Sequence, residues 1–427
     1  MIQTDRDAPH SVMAYSSNIF GSSNNQIKTH NIQAILLTLL REEHFSRVEL
    51  AHRLSLSNTT ITNLTTELLA LGIIAEEPVD NSDGLRSVGR PRKMLRLVPT
   101  ARYAIGIHIG VKLVRIAIID LFANIVDSDY YQFDLEQKPE SVIENIVQLT
   151  ENLMQTSQID KAKVIGIGIG ASGLVNYESG VNVLAPRLNW ENVPIRDLFE
   201  SRIKIPVCVD NNVRTMALAE AFFGDGRGVN VLAFVYGRIG VGSGIVVNNR
   251  VFRGSRAGAG EIGHTTIIPK GGEQCTCGNT GCLETLLSEP VWIQHVETIA
   301  AENPSSLIAE YLSSNDNRPV IDRVFAAARD GDNNTLDFIE DRACYLGIAL
   351  ANLVNILNPE MIILGGMFSQ GADLILPVAE EKMKQTSFAG LGNNVKLKAT
   401  SFKSNAGVIG AGALALTTFF YQYSELN

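Results

Sequence analysis

Glu261-Ile-Gly-His264, followed closely by Cys275-Thr-Cys277-Gly-Asn-Thr-Gly-Cys282-Leu-Glu284, is the stretch on which the reading of this 427-residue chain turns. One imidazole and three thiols fall within nineteen residues and supply the four donors that close a tetrahedral Zn2+ shell. Gly278 and Gly281 let the chain fold tightly about an ion. With His264, Cys275, Cys277 and Cys282 all engaged, no position stays open for water, so a zinc here is structural and activates no nucleophile. The other two cysteines, Cys208 and Cys344, stand in apolar sequence and read as small core residues. Five cysteines make no disulfide framework and suit a reducing cytoplasm.

On either side of this stretch, from Tyr103 onward, short apolar strands alternate with helical segments. Residues 104–109, 113–120 and 125–133 read as a strand meander, 141–157 as a helix, and 164–170, 207–209, 231–235, 244–247 and 361–364 as further strands, which makes the body α/β. The uncharged run Ser404–Ser424 is long enough to span a membrane. Asn405, Thr417, Thr418, Gln422 and three glycines interrupt it, and no basic cluster flanks it, so it reads as a buried helix. No membrane partner is expected.

The first hundred residues differ in character. They hold ten basic and ten acidic side chains, so the net charge of −9 belongs wholly to the remainder. Met1–Asn25 is polar and lacks the apolar run of an export signal; residues 1–23 read as a flexible tail. Ile32, Ile35, Leu36, Leu39 and Leu40 predict an amphipathic helix over 26–43, and Ser46-x-x-Glu49 is a capping box opening a short helix that ends near Ser55. Ser57 can cap a third helix with the stripe Ile61, Leu64, Leu68, Leu71, stopped by Gly72. Its outer face carries Thr59, Thr62, Asn63 and Thr66. Two helices joined by a brief turn, the second polar and uncharged outside, match a helix-turn-helix whose recognition helix reads the major groove of double-stranded DNA, with Ser57, Asn58, Thr59, Thr62 and Asn63 at the contact. Strands at 73–76 and 94–98 around a polar loop form a wing, where Arg90, Arg92 and Lys93 would meet phosphates or the minor groove. Glu42, Glu43, Glu76 and Glu77 would have to face away from the DNA.

The zinc string resembles the signature of the ROK family, which comprises repressors, uncharacterised reading frames and sugar kinases. Residues 238–264, with seven glycines, are similar to the glycine-rich segment leading into the family's zinc loop. Leu357-Asn-Pro-Glu-Met-Ile-Ile-Leu-Gly-Gly366 resembles its segment near the adenosine site, and Gly89-Arg90-Pro91 after a winged head resembles its sugar-responsive repressor branch. The resemblance implies a winged helix-turn-helix over 24–100 followed, over 101–427, by a two-lobed actin-like sensor and oligomerisation domain with a sugar in the cleft. It further implies that Asn211, Asn212, Glu261, His264 and Glu284 occupy sugar-contacting positions, with His264 serving zinc and sugar through different ring nitrogens.

The chain departs from the kinases of this family at three places. Asn212 stands where they carry the aspartate that takes the sugar proton. His108-Ile-Gly110-Val111-Lys112 replaces an Asp-x-Gly-Gly-Thr phosphate loop, and Arg238-Ile239 replaces a Gly-Thr pair. The expected function is therefore a cytoplasmic transcriptional repressor of carbohydrate genes, a homodimer or homotetramer with a sugar or sugar-phosphate effector and no catalytic residue. An ATP-dependent sugar kinase with residual activity is the alternative.

Overall fold

Ile35, Leu36, Leu39 and Leu40 are each at most 4% exposed and set the inner side of α1 (Asn24–Arg41). They belong to a computed structural model that describes residues 24–42, 44–78, 93–255 and 258–421. α2 (Arg47–Leu54) starts at the capping box: Ser46 Oγ accepts the Glu49 N–H, and the Glu49 carboxylate accepts the Ser46 N–H at 2.7 Å. Ser55 ends it in the left-handed region, and Ser57 caps α3 (Asn58–Ala70) by accepting the Thr60 N–H at 3.0 Å. Ile61, Leu64 and Leu68 are buried as their spacing requires. Leu71 is not; α3 stops at Ala70 and the chain turns at Gly72 (φ 65°), which leaves Leu71 51% exposed. Thr65 takes the fourth inward place and accepts from Arg47 Nε at 3.1 Å. The wing strands β1 (Ile74–Pro78) and β2 (Lys93–Leu97) pair antiparallel. The predicted tail, Glu43 and the basic residues Arg86, Arg90 and Arg92 lie outside the described residues.

The body has two lobes. In the first, β3 (Tyr103–Ile109), β4 (Leu113–Ile119) and β5 (Ile125–Gln132) form the expected meander, and β6 (Val164–Ala171) and β10 (Val207–Asn211) add parallel to β3, giving the order β10-β6-β3-β4-β5. Along β3 the residues alternate by face. Ile105, Ile107 and Ile109 pack under α4 (Pro139–Thr156), each buried isoleucine contributing about 1.5–3 kcal/mol. Ala104, Gly106 and His108 lie beneath α14 (Ala406–Leu416). Backbone approach there demands glycine, since a Cβ on Gly168 would stand 1.9 Å from the Ala411 carbonyl oxygen. A small sheet, β7 (Leu174–Asn176), β8 (Val181–Ala185) and β9 (Trp190–Val193), and the helix α5 (Ile195–Glu200) complete the lobe.

The second lobe is the sheet β13-β12-β11-β14-β15, made of β11 (Val231–Gly237), β12 (Val241–Val247), β13 (Arg250–Val251), β14 (Met361–Gly366) and β15 (Lys396–Ala399). α6 (Asn212–Phe223) covers one face. The other carries α7 (Glu284–Leu287), α8 (Glu289–Glu302), α9 (Leu307–Ser313), α10 (Val320–Arg329), α11 (Asn333–Leu357), α12 (Met367–Gln370) and α13 (Ala372–Thr386). α6 and α14 pack against each other between the lobes. All eleven residues of α14 are buried, as the sequence predicted for this stretch, and among the described residues no helix is long and apolar enough to cross a membrane.

The head does not hang free. Ile35, Leu39, Leu68 and Leu97 belong to the same continuous apolar cluster as Met216 of α6, Leu414 of α14 and the fully buried Tyr421, whose hydroxyl donates to the Leu121 carbonyl at 2.7 Å. A cavity of about 400 Å³ opens at the seam, lined by Arg96 and Leu97 of the head and by Phe122, Phe223 and Arg227 of the body.

Within α6, Glu220 is fully buried and accepts from Thr400 Oγ1 and from the Asp225 N–H. Burial pushes its carboxyl from the usual 4.5 up to about 7, its hydrogen bonds opposing only in part. Because the folded form keeps the proton longer than the unfolded form, this group's contribution is fully present below about pH 4.5 and is lost as pH rises through about 7. Glu220→Gln is expected to flatten that fall, read from urea-unfolding midpoints across the interval; an unchanged pH slope would acquit Glu220.

Candidate functional site

β10 delivers Asn211 to the junction of the lobes. Its Oδ1 caps α6 by accepting the Val213 and Arg214 N–H groups at 2.9 and 3.2 Å, and its Nδ2 donates to the Gly173 carbonyl at 2.8 Å. One amide N–H remains for a ligand. Asn212 is buried behind it, with Nδ2 3.4 Å from His108 Nε2 and 3.3 Å from Ser172 Oγ. Burial, helped by Arg115 and Arg238, holds the His108 imidazole down to about 4, so at neutral pH this is an uncharged imidazole–amide pair. Neither partner is a base for a sugar hydroxyl: the amide has no proton affinity to offer, and an imidazole of that pKa is a weak acceptor.

Across the cleft, Glu284 opens α7 with its carboxylate turned inward. Oε2 accepts the Val241 N–H at 3.1 Å, and a Cβ on Gly240 would stand only 2.6 Å from that oxygen. Oε1 accepts from Arg187 Nη2 at 2.8 Å. Glu261 reaches solvent, yet the protein around its carboxyl raises its pKa; His264 and Arg214 pull the other way and Glu284 adds to the rise. Glu261, His264 and Glu284 thus share one electrostatic neighbourhood, and Arg214 ties it to the N-terminus of α6.

The donor atoms of His264, Cys275, Cys277 and Cys282 all lie within 4.8 Å of one another. Cys277 Sγ and Cys282 Sγ are 3.7 Å apart, and Cys275 Sγ is 3.7 Å from His264 Nδ1. Zinc–sulfur bonds of about 2.3 Å at the tetrahedral angle place two sulfurs roughly 3.8 Å apart, so the four groups fit a tetrahedral cation. His264 turns Nδ1 to the thiols, which leaves Nε2 for another partner. Cys275 and Cys282 are buried and Cys277 is exposed.

On the head, Ser57, Asn58, Thr59, Thr62 and Asn63 are all exposed on or beside α3. Thr62 Oγ1 donates back to the Asn58 carbonyl at 2.7 Å, so its hydroxyl keeps acceptor capacity outward. The nearby acids are neutralised within the head. Glu76 accepts from Arg47 at 2.7 Å and from Lys93, which with Arg47 holds its carboxyl below the usual range; Glu77 is paired with Arg96 and Glu42 with Arg53. Lys93 is exposed but already shares its charge with Glu76. Arg90 and Arg92 fall outside the described residues.

The ROK family model matches residues 104–418. The chain belongs to the ROK family. It is similar to a xylose repressor of Caldicellulosiruptor bescii, 31% identical over 391 residues that span 92% of this chain and 96% of that one. A glucokinase of Halalkalibacterium halodurans is 32% identical over 317 residues, 73% of this chain and 94% of its own. Among solved structures, a ROK family transcriptional regulator described as a homologue of the E. coli MLC protein superposes with a TM-score of 0.77 at 29% identity, covering 92% of this chain and 97% of that one.

Asn211, Glu261, His264 and Glu284 are brought near one another through Arg214 and Arg187, but these arginines carried no signal in the sequence. Asp210 is buried and accepts from Arg253 at 2.8 Å, with Arg214 at 3.3 Å, and Arg253 also lies 3.9 Å over the Tyr177 ring. Arg187 sits in the turn after β8. No spacing could reveal them, because Arg187 and Glu284 are 97 positions apart and Asp210 and Arg253 are 43 apart. At two of the places where the chain departs from the family's kinases, Lys112 occupies the left-handed region (φ 62°) and Arg238 is exposed, 3.6 Å from Glu289.

Proposed function

We propose that this chain is a sequence-specific DNA-binding repressor of carbohydrate genes, with a winged helix-turn-helix over 24–100 and a kinase-like sensor over 101–427 that binds a sugar and transfers no phosphate. It acts in the cytoplasm as a homodimer or homotetramer on a double-stranded operator. A structural Zn2+ on His264, Cys275, Cys277 and Cys282 holds the loop that carries Glu261 and Glu284. The observation that carries this reading is the shared apolar cluster. α6 begins at Asn211 in the cleft and packs with α14, and both share one core with the recognition head, so a ligand at one end can bias the other. The match to a xylose repressor along 92% of the chain, head included, supports it further.

A second reading, an ATP-dependent sugar kinase with residual activity, draws on the glucokinase relative. The imidazole–amide pair of His108 and Asn212 speaks against it.

Selection of bound duplexes from a random DNA library by the full chain tests the proposal. A palindromic operator is expected, with half-sites spaced for two heads. Asn63→Ala should relax base preference, since an exposed amide can pair bidentately with adenine and each such pair discriminates by about 1–3 kcal/mol. Arg90→Ala with Arg92→Ala should instead lower the slope of log affinity on log salt by about 0.9 for each phosphate that is no longer neutralised. Enrichment of no sequence at all would refute the reading.

A further inference from the structure

The ion pair of Arg187 with Glu284 is asymmetric in a way that bears on the effector. Arg187 comes from the first lobe, in the turn between β8 and β9; Glu284 comes from the second. The carboxylate is the sheltered partner, its side chain 9% exposed, and the guanidinium is the open one at 36%. Both oxygens of Glu284 are engaged, one by the Val241 N–H and one by Arg187. Arg187 spends a single N–H on this contact and makes no other side-chain hydrogen bond or ion pair among the described residues, so four of its five donors are free. What this wall presents to an incoming ligand is therefore a fork of N–H donors with positive charge, held in place by the carboxylate behind it.

A guanidinium so fixed matches the paired oxygens of a phosphate or carboxylate, and its cost of ordering has already been met by Glu284. A neutral hydroxyl offers that fork a single oxygen and brings no charge. Nearby, Asn211 offers one N–H and Asn212 and His108 are uncharged; both oxygens of Glu284 are taken by Arg187 and the Val241 N–H, and Glu261 is an acid whose repulsion the fork has to outweigh.

We propose that Arg187 is the specificity-determining residue of the cleft and selects an effector whose sugar carries an anionic oxygen group, a phosphate ester or a carboxylate. This rests on the cleft being the sugar site. The phosphate and the carboxylate share the recognising chemistry, and the position of the group on the ring separates them in a matched panel.

Isothermal titration of the full-length zinc-loaded chain with glucose, glucose 1-phosphate, glucose 6-phosphate and glucuronate, and with N-acetylglucosamine and its 6-phosphate, tests this. One anionic member should bind at least about tenfold more tightly than its neutral parent, as a charge-assisted bidentate contact implies. Arg187→Gln should bring that ratio to about one, with an unchanged circular dichroism spectrum and zinc content showing that the variant is folded; Arg187→Lys, a point charge without the fork, should restore part of it. If neutral parents bind the unmodified chain as tightly as their anionic forms, or if Arg187→Gln weakens both alike, the proposal is overturned and the cleft reading stands. If no member binds at all, both fall together.

Discussion

Removing the cation from the four-donor site, by chelation or by Cys282→Ser, is expected to yield a chain that holds no zinc and no longer responds to any sugar. The purified chain should carry one zinc. Three thiols and an imidazole within 4.8 Å are stable as a set when a cation holds the thiolates together, and structural zinc shells of this kind hold their ion with about 10–16 kcal/mol at neutral pH. Glu261 and Glu284 flank these residues directly, so release of the loop displaces both walls of the proposed sugar site. Elemental analysis and sugar titration read the two consequences separately. Less than about half a zinc per unchelated chain would reject the structural site, as would a Cys282→Ser variant with undiminished metal.

The second large effect is the absence of turnover. ATP-dependent phosphorylation of glucose, xylose or N-acetylglucosamine should stay at the blank rate. A positioned base contributes about 10²–10⁴-fold to such transfers, and Asn212 is an amide hydrogen-bonded beside a neutral His108. Asn212→Asp alone should not rescue the reaction, because Lys112 and Arg238 would still stand at the positions where the resemblance to the family's kinases implies bare backbone N–H groups for the phosphates. A coupled assay showing ATP-dependent turnover by the unmodified chain, abolished by Asn212→Ala, would establish the kinase reading instead.

What could be read in advance was what is local. The capping box Ser46–Glu49 and the Ser57 cap formed as their patterns dictate, because each depends on residues a few positions apart, and the meander joins strands that are consecutive in sequence. The metal donors were legible for the same reason, three of the four lying within eight positions. Leu71 misled, since a helical stripe does not say where the helix stops, and a left-handed glycine ended it one residue early. The pairings that shape the cleft were hidden. Arg187 on Glu284, Arg253 on Asp210 and His108 against Asn212 join residues far apart in sequence, and nothing in their neighbours announces them. The continuity of the head's core with α6 and α14 was equally silent, because apolar residues on α1 look the same whichever surface they cover.

The most direct test of the central claim is the affinity of the full chain for its selected operator, measured by fluorescence anisotropy with and without each sugar and sugar phosphate of a broad panel. On the proposed mechanism, lobe closure about a ligand would move α6 and α14, and with them the head that shares their core. At least one ligand is therefore expected to weaken operator binding about 5- to 150-fold, the range of ordinary allosteric couplings of about 1–3 kcal/mol. Glu284→Ala should keep its unliganded operator affinity and lose that response, giving a repressor that does not release. Operator affinity unchanged by every ligand, or a Glu284→Ala chain that no longer binds DNA, would contradict this coupling of cleft to head.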